Sequence, residues 1–183
     1  MKKLLLTASF LFAGTAMFAQ KLMTKTAKIT FNATAAGSPE KIEAINNEVA
    51  NVLDATSGAM VFQVLVKSFK FERALMEEHF NENYMESDKI PKADFNGKIT
   101  NIADVNFSKD GTYKVNVSGK LTIHGVSNEV TVPGTATVQG VNIKLTTKFS
   151  VKLQDYKISI PSVVADKIAK EATIALESDL TKK

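Results

Sequence analysis

The segment that indicates the fold most clearly lies in the second half of the chain and reads Ser118-Gly-Lys-Leu-Thr-Ile-His-Gly-Val-Ser-Asn-Glu-Val-Thr-Val132. On both sides of its centre, apolar residues alternate with polar ones; the apolar residues are Leu121, Ile123, Val130 and Val132. Such alternation is typical of strands with one buried face. A short polar segment containing Gly125 and Asn128 separates the two runs, as in a tight turn. The stretch therefore predicts a β-hairpin in an antiparallel sheet.

Alternation of the same kind recurs along most of the chain. It predicts strands at 28–33, 49–53, 59–71, 94–100, 105–107, 112–123, 130–138, 143–153 and 172–180. Within 59–71 the apolar parity changes, which predicts a bulge near Lys67 and Ser68 that keeps both halves on one face. Gly119 interrupts another strand, which predicts a bend or a close approach of two backbones.

Helical periodicity is confined to short segments. Residues 73–85 predict a helix whose apolar stripe consists of Leu75, Met76, His79, Phe80 and Tyr84. A short helical turn is predicted at 39–44, and a brief helical or loop insertion at 162–169.

This pattern predicts an all-β fold of about eight antiparallel strands, either a closed barrel or a sandwich. In a sandwich the inner faces meet each other, whereas an eight-stranded barrel surrounds a space that can hold one small ligand. The strand pattern does not separate the two. No repeat or linker divides the chain, so one domain is expected over residues 20–183.

The N-terminus has the features of a secretory signal peptide. Lys2 and Lys3 precede an apolar run, residues 4–12, that is shorter than the roughly 20 residues of a membrane span. Small residues follow, so a signal peptide is predicted over residues 1–19, with cleavage after Ala19 and an alternative after Ala16. We therefore expect an exported bacterial protein, periplasmic or secreted. The chain has no cysteine, so its stability must come from its core rather than from disulfides.

Composition and motifs argue against several classes of function. Removing Lys2 and Lys3 lowers the formal net charge from +4 to about +2, and the remaining lysines are scattered, which disfavours nucleic acid as a partner. With only His79, His124 and no cysteine, no metal site is expected. A ring nitrogen of His124 is expected to bond a turn carbonyl. Nucleophile elbows and phosphate-binding loops are lacking, so the sequence predicts no catalytic residues and no enzyme.

The predicted inward faces are the remaining candidate for a function. They carry phenylalanines with valine, leucine and isoleucine between them, which suits a long apolar ligand held by burial of its surface. The candidate ligand-binding residues are Phe62, Val64, Val66, Phe69, Phe71, Phe80, Phe95, Val115, Val117, Leu145, Phe149 and Ile174. As the alternative, the same side chains fill the lumen as an ordinary core.

Three segments resemble the YceI-like family of polyisoprenoid-binding, exported bacterial proteins. Residues 117–130 are similar to the family's Gly-x-Leu-Thr-Ile-His-Gly-Val-Thr-x-x-Val pattern. The other two are Glu78-His-Phe-Asn-Glu-Asn-Tyr-Met85 followed by Ile90-Pro-Lys-Ala-Asp-Phe-Asn-Gly97, and the closing Phe149, Tyr156 and Ile174-Ala-Leu176. The resemblance implies a lipocalin-like antiparallel barrel with one or two short helices. It also implies a bound polyprenyl, quinone-like or fatty-acyl chain, no other cofactor, and often a homodimer.

Two functional hypotheses follow. In the first, the protein is a periplasmic carrier of a long apolar ligand. In the second, it is a non-enzymatic envelope module with a side-chain-filled barrel that acts through its outer surface. An outer-membrane barrel is disfavoured because the predicted outward positions are polar, as at Lys114, Lys120 and Lys144. No transmembrane segment is expected in the mature chain.

Overall fold

Antiparallel strands make up most of the protein in its computed structural model, which describes residues 21–182. The strands are β1 (Lys21–Thr34), β2 (Glu43–Asp54), β3 (Ala59–Leu65), β4 (Lys70–Phe71), β5 (Lys92–Ile99), β6 (Gly111–Ile123), β7 (Val126–Gln139), β8 (Asn142–Lys152) and β9 (Ile168–Thr181). One helix, α1 (Ala74–His79), continues into a π-helical turn at Phe80–Tyr84. The predicted signal peptide, residues 1–19, lies outside the described residues. None of the helical segments within residues 21–182 has the length and apolarity needed to cross a membrane.

The eight long strands close into a barrel. Their order is β1-β9-β8-β7-β6-β5-β3-β2, and β2 pairs again with β1, so the eight long strands form a closed ring. The two-residue strand β4 pairs only with the start of β2. The predicted eight-stranded antiparallel barrel is confirmed, and the sandwich is excluded.

The strand order gathers the connections at two ends of the barrel. The helix end, as we call it, contains the β1–β2 loop (35–42), the α1 region (72–91), the β6–β7 turn (124–125) and the β8–β9 connection (153–167). The far end contains the connections 55–58, 100–110 and 140–141. All longer helical structure is therefore at one end.

The far end is closed by aliphatic side chains. Six strands each contribute one such residue, exposed by 2% or less; these are Leu22, Leu53, Ile99, Val138, Ile143 and Leu180. They occupy the far-end termini of their strands, so together they fill the barrel at that level. Burial of this kind is the main source of stability in a fold without disulfides.

The predicted strand 59–71 is interrupted. β3 ends at Leu65, and a 3-10 turn at Val66–Ser68 precedes the two residues of β4. The turn lies where a bulge was predicted, and it resets the alternation, so Val66 and Phe69 are both buried. Because β2 pairs with β3 and then with β4, the segment still follows one neighbouring strand.

The hairpin turn is tighter than predicted. It consists of His124 and Gly125 alone, with φ of +50° and +72°, the signs required by a two-residue type I′ turn. Placing Asn128 in the turn was wrong, since β7 already begins at Val126. The side-chain amide of Asn128 instead donates to the carbonyl oxygen of Asp155 at 2.9 Å.

Other boundaries also differ from the sequence predictions. The predicted strand at 105–107 is wrong, because a 3-10 turn at Ile102–Asp104 precedes it and Phe107 packs into the far-end core without a strand partner. The helical turn predicted at 39–44 is wrong as well, since β2 begins at Glu43. Both segments have too few residues for periodicity to outweigh tertiary packing.

Gly119 lies where two backbones approach closely, as predicted. It pairs with Gly97 across β5 and β6, and a Cβ atom added at Gly119 would lie 2.4 Å from the Cα atom of Gly97. The ring of Phe95 covers the pair, with its Cζ atom 2.9 Å from the same added Cβ position. A side chain at either glycine would therefore displace the ring or separate the strands.

Candidate functional site

The barrel encloses a cavity of about 400 Å³ that opens at the helix end. Inward-facing residues from seven of the eight long strands line it, and α1 covers part of the opening. The volume is within the range of roughly 300–1,000 Å³ found for small-molecule sites. The lumen is therefore a cavity rather than a core filled by side chains.

All twelve predicted ligand-binding residues lie on the wall of this cavity. From the far end toward the helix end they include Val115, Val117 and Leu145 and then Phe149 and Ile174, with the others on β3, β5 and the segment 66–80. The predicted helix stripe faces the cavity too, because its five residues all contribute to the wall. Contact between these residues and a ligand stays a prediction.

The cavity is long as well as apolar. Along β6 the lining runs from Val115 to Ile123, about 26 Å of strand, or roughly 20 Å along the barrel axis once strand tilt is included. Ile99 is at the far-end limit of the lining, and the remainder of the far-end core closes the space beyond it. Such a shape can enclose an extended hydrocarbon chain.

A cluster of four aromatic rings forms the wall next to α1. The centroid of the Phe80 ring is 5.0 Å from that of Phe71 and 5.6 Å from those of Phe31 and Phe69. Most of these contacts are edge-to-face, the arrangement that aromatic quadrupoles favour. The cluster therefore combines a firm support for α1 with an apolar surface facing the cavity.

Some wall residues were not predicted. Four of them belong to the hairpin that indicated the fold: Leu121, Ile123, Val130 and Val132. Their alternation with polar residues places them on the inner face of the hairpin, so the sequence pattern could have identified them. Tyr156 is another wall residue that was not predicted. Burial raises the pKa of its phenol and of the phenol of Tyr84, which belongs to the helix stripe on the same wall.

Three charged side chains meet at the opening, although no sequence pattern predicted that they would. Glu40, in the β1–β2 loop, accepts a hydrogen bond from Nη1 of Arg73 at 2.8 Å through Oε1. Its Oε2 lies 3.1 Å from Nζ of Lys167. The hydrogen bond and charge of Lys167, followed by the charge of Arg73, hold the pKa of Glu40 below its ordinary value of 4.5. All three residues lie on the cavity wall.

His124 connects the hairpin turn to two other segments of the helix end. Its Nδ1 atom lies 3.2 Å from the carbonyl oxygen of Tyr156, in the 3-10 turn at Leu153–Tyr156, so the predicted contact with a turn carbonyl is present. Its Nε2 atom lies 3.3 Å from Oε2 of Glu86. The ring thus links the hairpin to the segments on either side. His124 does not line the cavity.

Within residues 21–182, no three His, Asp or Glu side chains are grouped as metal ligands would be.

The chain is similar to a known protein family and to several solved structures. The family model described as "YceI-like domain" matches residues 14–180. A solved polyisoprenoid-binding domain from Saccharophagus degradans, described as implicated in plant cell wall breakdown, is 12% identical, with a TM-score of 0.77 over 91% of this chain and 100% of that one. No curated protein matches the sequence.

Two further solved structures have the same fold. BcnA of Burkholderia cenocepacia is 20% identical, with a TM-score of 0.69 over 85% of this chain and 96% of its own. A YCEI protein of Campylobacter jejuni is 18% identical, with a TM-score of 0.56 over 75% of this chain and 83% of its own.

Proposed function

The chain belongs to the YceI-like domain family, and from that premise we propose that it binds a long apolar ligand in its lumen and carries it. The observation that carries the proposal is the cavity of about 400 Å³, open at one end and lined almost entirely by apolar side chains. Each Å² of apolar ligand surface buried there contributes about 25 cal/mol. A chain-like ligand can therefore be held without a dedicated polar site along its length.

The ligand class follows from the shape of the cavity and from one related protein. A polyisoprenoid, a quinone-like molecule with a polyprenyl tail, or a fatty-acyl chain would each fit a narrow cavity roughly 20 Å long. The domain from Saccharophagus degradans is described as polyisoprenoid-binding, which supports a polyprenyl chain. The alternative of an envelope module with a filled barrel is disfavoured by the empty volume.

We place this activity outside the cytoplasm, on the basis of the signal peptide predicted over residues 1–19. A periplasmic carrier would keep a water-insoluble chain away from solvent between membranes. We propose that the protein acts by binding alone, without catalysis. The homodimer implied by the family resemblance stays a prediction.

A test of the proposal combines native mass spectrometry with extraction of bound lipid after mild purification. Val132→Trp places a large ring on the cavity wall, whereas Thr131→Trp, the matched control, places the same ring on the outer face one residue away. The protein has no tryptophan of its own, so the introduced ring also reports on its surroundings.

We expect the protein to carry an apolar chain, and Val132→Trp to lower affinity for a fluorescent long-chain fatty acid by about tenfold or more. Thr131→Trp should bind like the unmodified protein. If no apolar chain is carried or taken up, or if both variants bind equally well, the lumen is not the binding site and the proposal is wrong.

A further inference from the structure

The opening of the cavity carries a small, unevenly charged group of side chains, which we call the mouth triad: Glu40, Arg73 and Lys167. It joins three separate parts of the helix end, namely the β1–β2 loop, the residue before α1 and the residue before β9. The backbone N–H of Ala35 also donates to the carbonyl oxygen of Lys167 at 2.9 Å, which fixes the loop beside the strand.

Two cations share one carboxylate in the mouth triad, so the triad carries a net positive charge. Arg73 makes one side-chain hydrogen bond within the described residues, although a guanidinium has five N–H donors. The side chains of Arg73 and Lys167 are 65% and 47% exposed, so both can be reached from solvent and from the cavity. N–H groups of Arg73 and Lys167 can therefore donate further hydrogen bonds to oxygen atoms of a ligand.

Within the described residues, Glu40 and Asp94 are the acidic residues that line the cavity. Glu77 is engaged by Lys70 at 2.6 Å and by the backbone N–H of Phe71. Asp166 borders a second hollow, which is formed with the β1–β2 loop and is also lined by Glu40 and Lys167, and it does not line the cavity. Asp94 borders the cavity on β5, but it lies between the inward-facing Ala93 and Phe95, so its side chain points outward.

We propose that the mouth triad is a head-group site, and that the ligand carries an anionic oxygen group, a carboxylate or a phosphate, at one end of its apolar chain. The inference rests on the proposed function. In the empty protein the carboxylate of Glu40 occupies the position that the ligand's anion takes. On binding, Arg73 and Lys167 donate to the ligand while its chain lies against the aromatic cluster below.

The test compares ligands that differ only in charge at one end. Hexadecanoic acid is paired with hexadecan-1-ol, and a polyprenyl phosphate with the polyprenol of equal length, so that the two pairs separate a carboxylate from a phosphate. Binding is measured by displacement of a neutral fluorescent lipid. We expect the anionic member of one pair or both to bind about five- to tenfold more tightly than its alcohol.

Substitutions test whether the preference for anionic ligands depends on the residues of the mouth triad. Arg73→Gln combined with Lys167→Gln should abolish the preference, because affinity for the anionic ligands falls much more than affinity for the alcohols. Glu40→Gln should increase the preference, because the competing carboxylate is removed. Lys144→Gln is the matched control, since it removes a cation from an ion pair with Glu177 on the outer wall, where no effect is expected.

Equal binding of acids and alcohols by the unmodified protein would overturn the head-group site and leave the carrier function intact. A preference that survives the double variant would overturn it too. If neither member of either pair binds, the proposed function itself fails. Thermal unfolding of each variant ensures that folded protein is compared, and exposed substitutions of this kind usually change stability little.

Discussion

The far end and the helix end of the barrel are made from the same eight strands but have different interiors. At the far end, aliphatic side chains such as Leu53 and Ile143 are almost fully buried and fill the space. At the helix end, larger rings such as Phe31 and Phe71 are only partly buried, and the cavity opens between them and the mouth triad. We therefore expect the far end to contribute most of the stability of the fold, and the helix end to bind the ligand.

The largest effect is expected from Leu53→Ala at the far end. The substitution leaves a void in a packed core, so the free energy of unfolding should fall by about 2–5 kcal/mol. Urea denaturation measures this loss, and native mass spectrometry checks that the folded fraction still carries its ligand. A loss below about 1 kcal/mol would show that the far end is not the stabilising core.

A smaller loss of stability but a clear loss of binding is expected from Phe71→Ala at the helix end. The Phe71 ring is partly exposed and borders an existing cavity, so its removal should cost only about 1–2 kcal/mol. Affinity for a fluorescent long-chain fatty acid should nevertheless drop, because the ring contributes ligand-facing surface. If Phe71→Ala destabilises the protein as much as Leu53→Ala, or leaves affinity unchanged, the division between the two ends does not hold.

The smallest effect is expected when the pH is lowered, and it concerns the packing of α1. A hydrogen bond from Lys70 is the main reason that the pKa of Glu77 lies below 4.5, and the N–H of Phe71 adds to it while burial opposes it. Because the folded-state pKa is lowered, this contribution to stability is present above pH 4.5 and is lost as pH falls through the lowered pKa. Acidification should therefore loosen α1 without opening the far end.

Leu75→Trp, at an exposed position of α1, supplies a fluorescent reporter for that change. We expect its emission to shift below pH 4.5, and Glu77→Gln in the same background to remove most of the pH dependence. The pKa of Glu40 is lowered as well, chiefly by its hydrogen bond with Lys167, so Glu40→Gln is the companion variant that separates the two carboxylates. An emission that shifts equally with and without Glu77 would contradict this assignment.

Much of the site was predictable because side-chain alternation is a local property of a strand. Val115 and Val117 were placed on the inner face from their spacing alone, and both line the cavity. The helix stripe was identified from a period of 3.6 in the same way. Short segments were less predictable. Residues 105–107 and 39–44 show too little periodicity to outweigh their tertiary environment.

The hairpin at residues 118–132 illustrates the limit of local inference. Its glycine and its alternation predicted two paired strands, and these are present. Its turn was misplaced because the chain reverses through His124, a non-glycine residue at φ +50°. Contacts of the His124 ring with Glu86 and with the carbonyl oxygen of Tyr156 hold it there, and both partners are distant in sequence.

Antiparallel strands with one apolar face, and the residues on that face, could be predicted from local patterns of amino acids. Periodicity encodes these properties within a few residues. Three other features are visible only in the folded protein. The sheet closes through β1 and β2, the lumen stays open at one end, and Glu40, Arg73 and Lys167 meet there. These features depend on contacts between residues that are far apart in the chain. Side-chain alternation is a local pattern and does not predict such contacts.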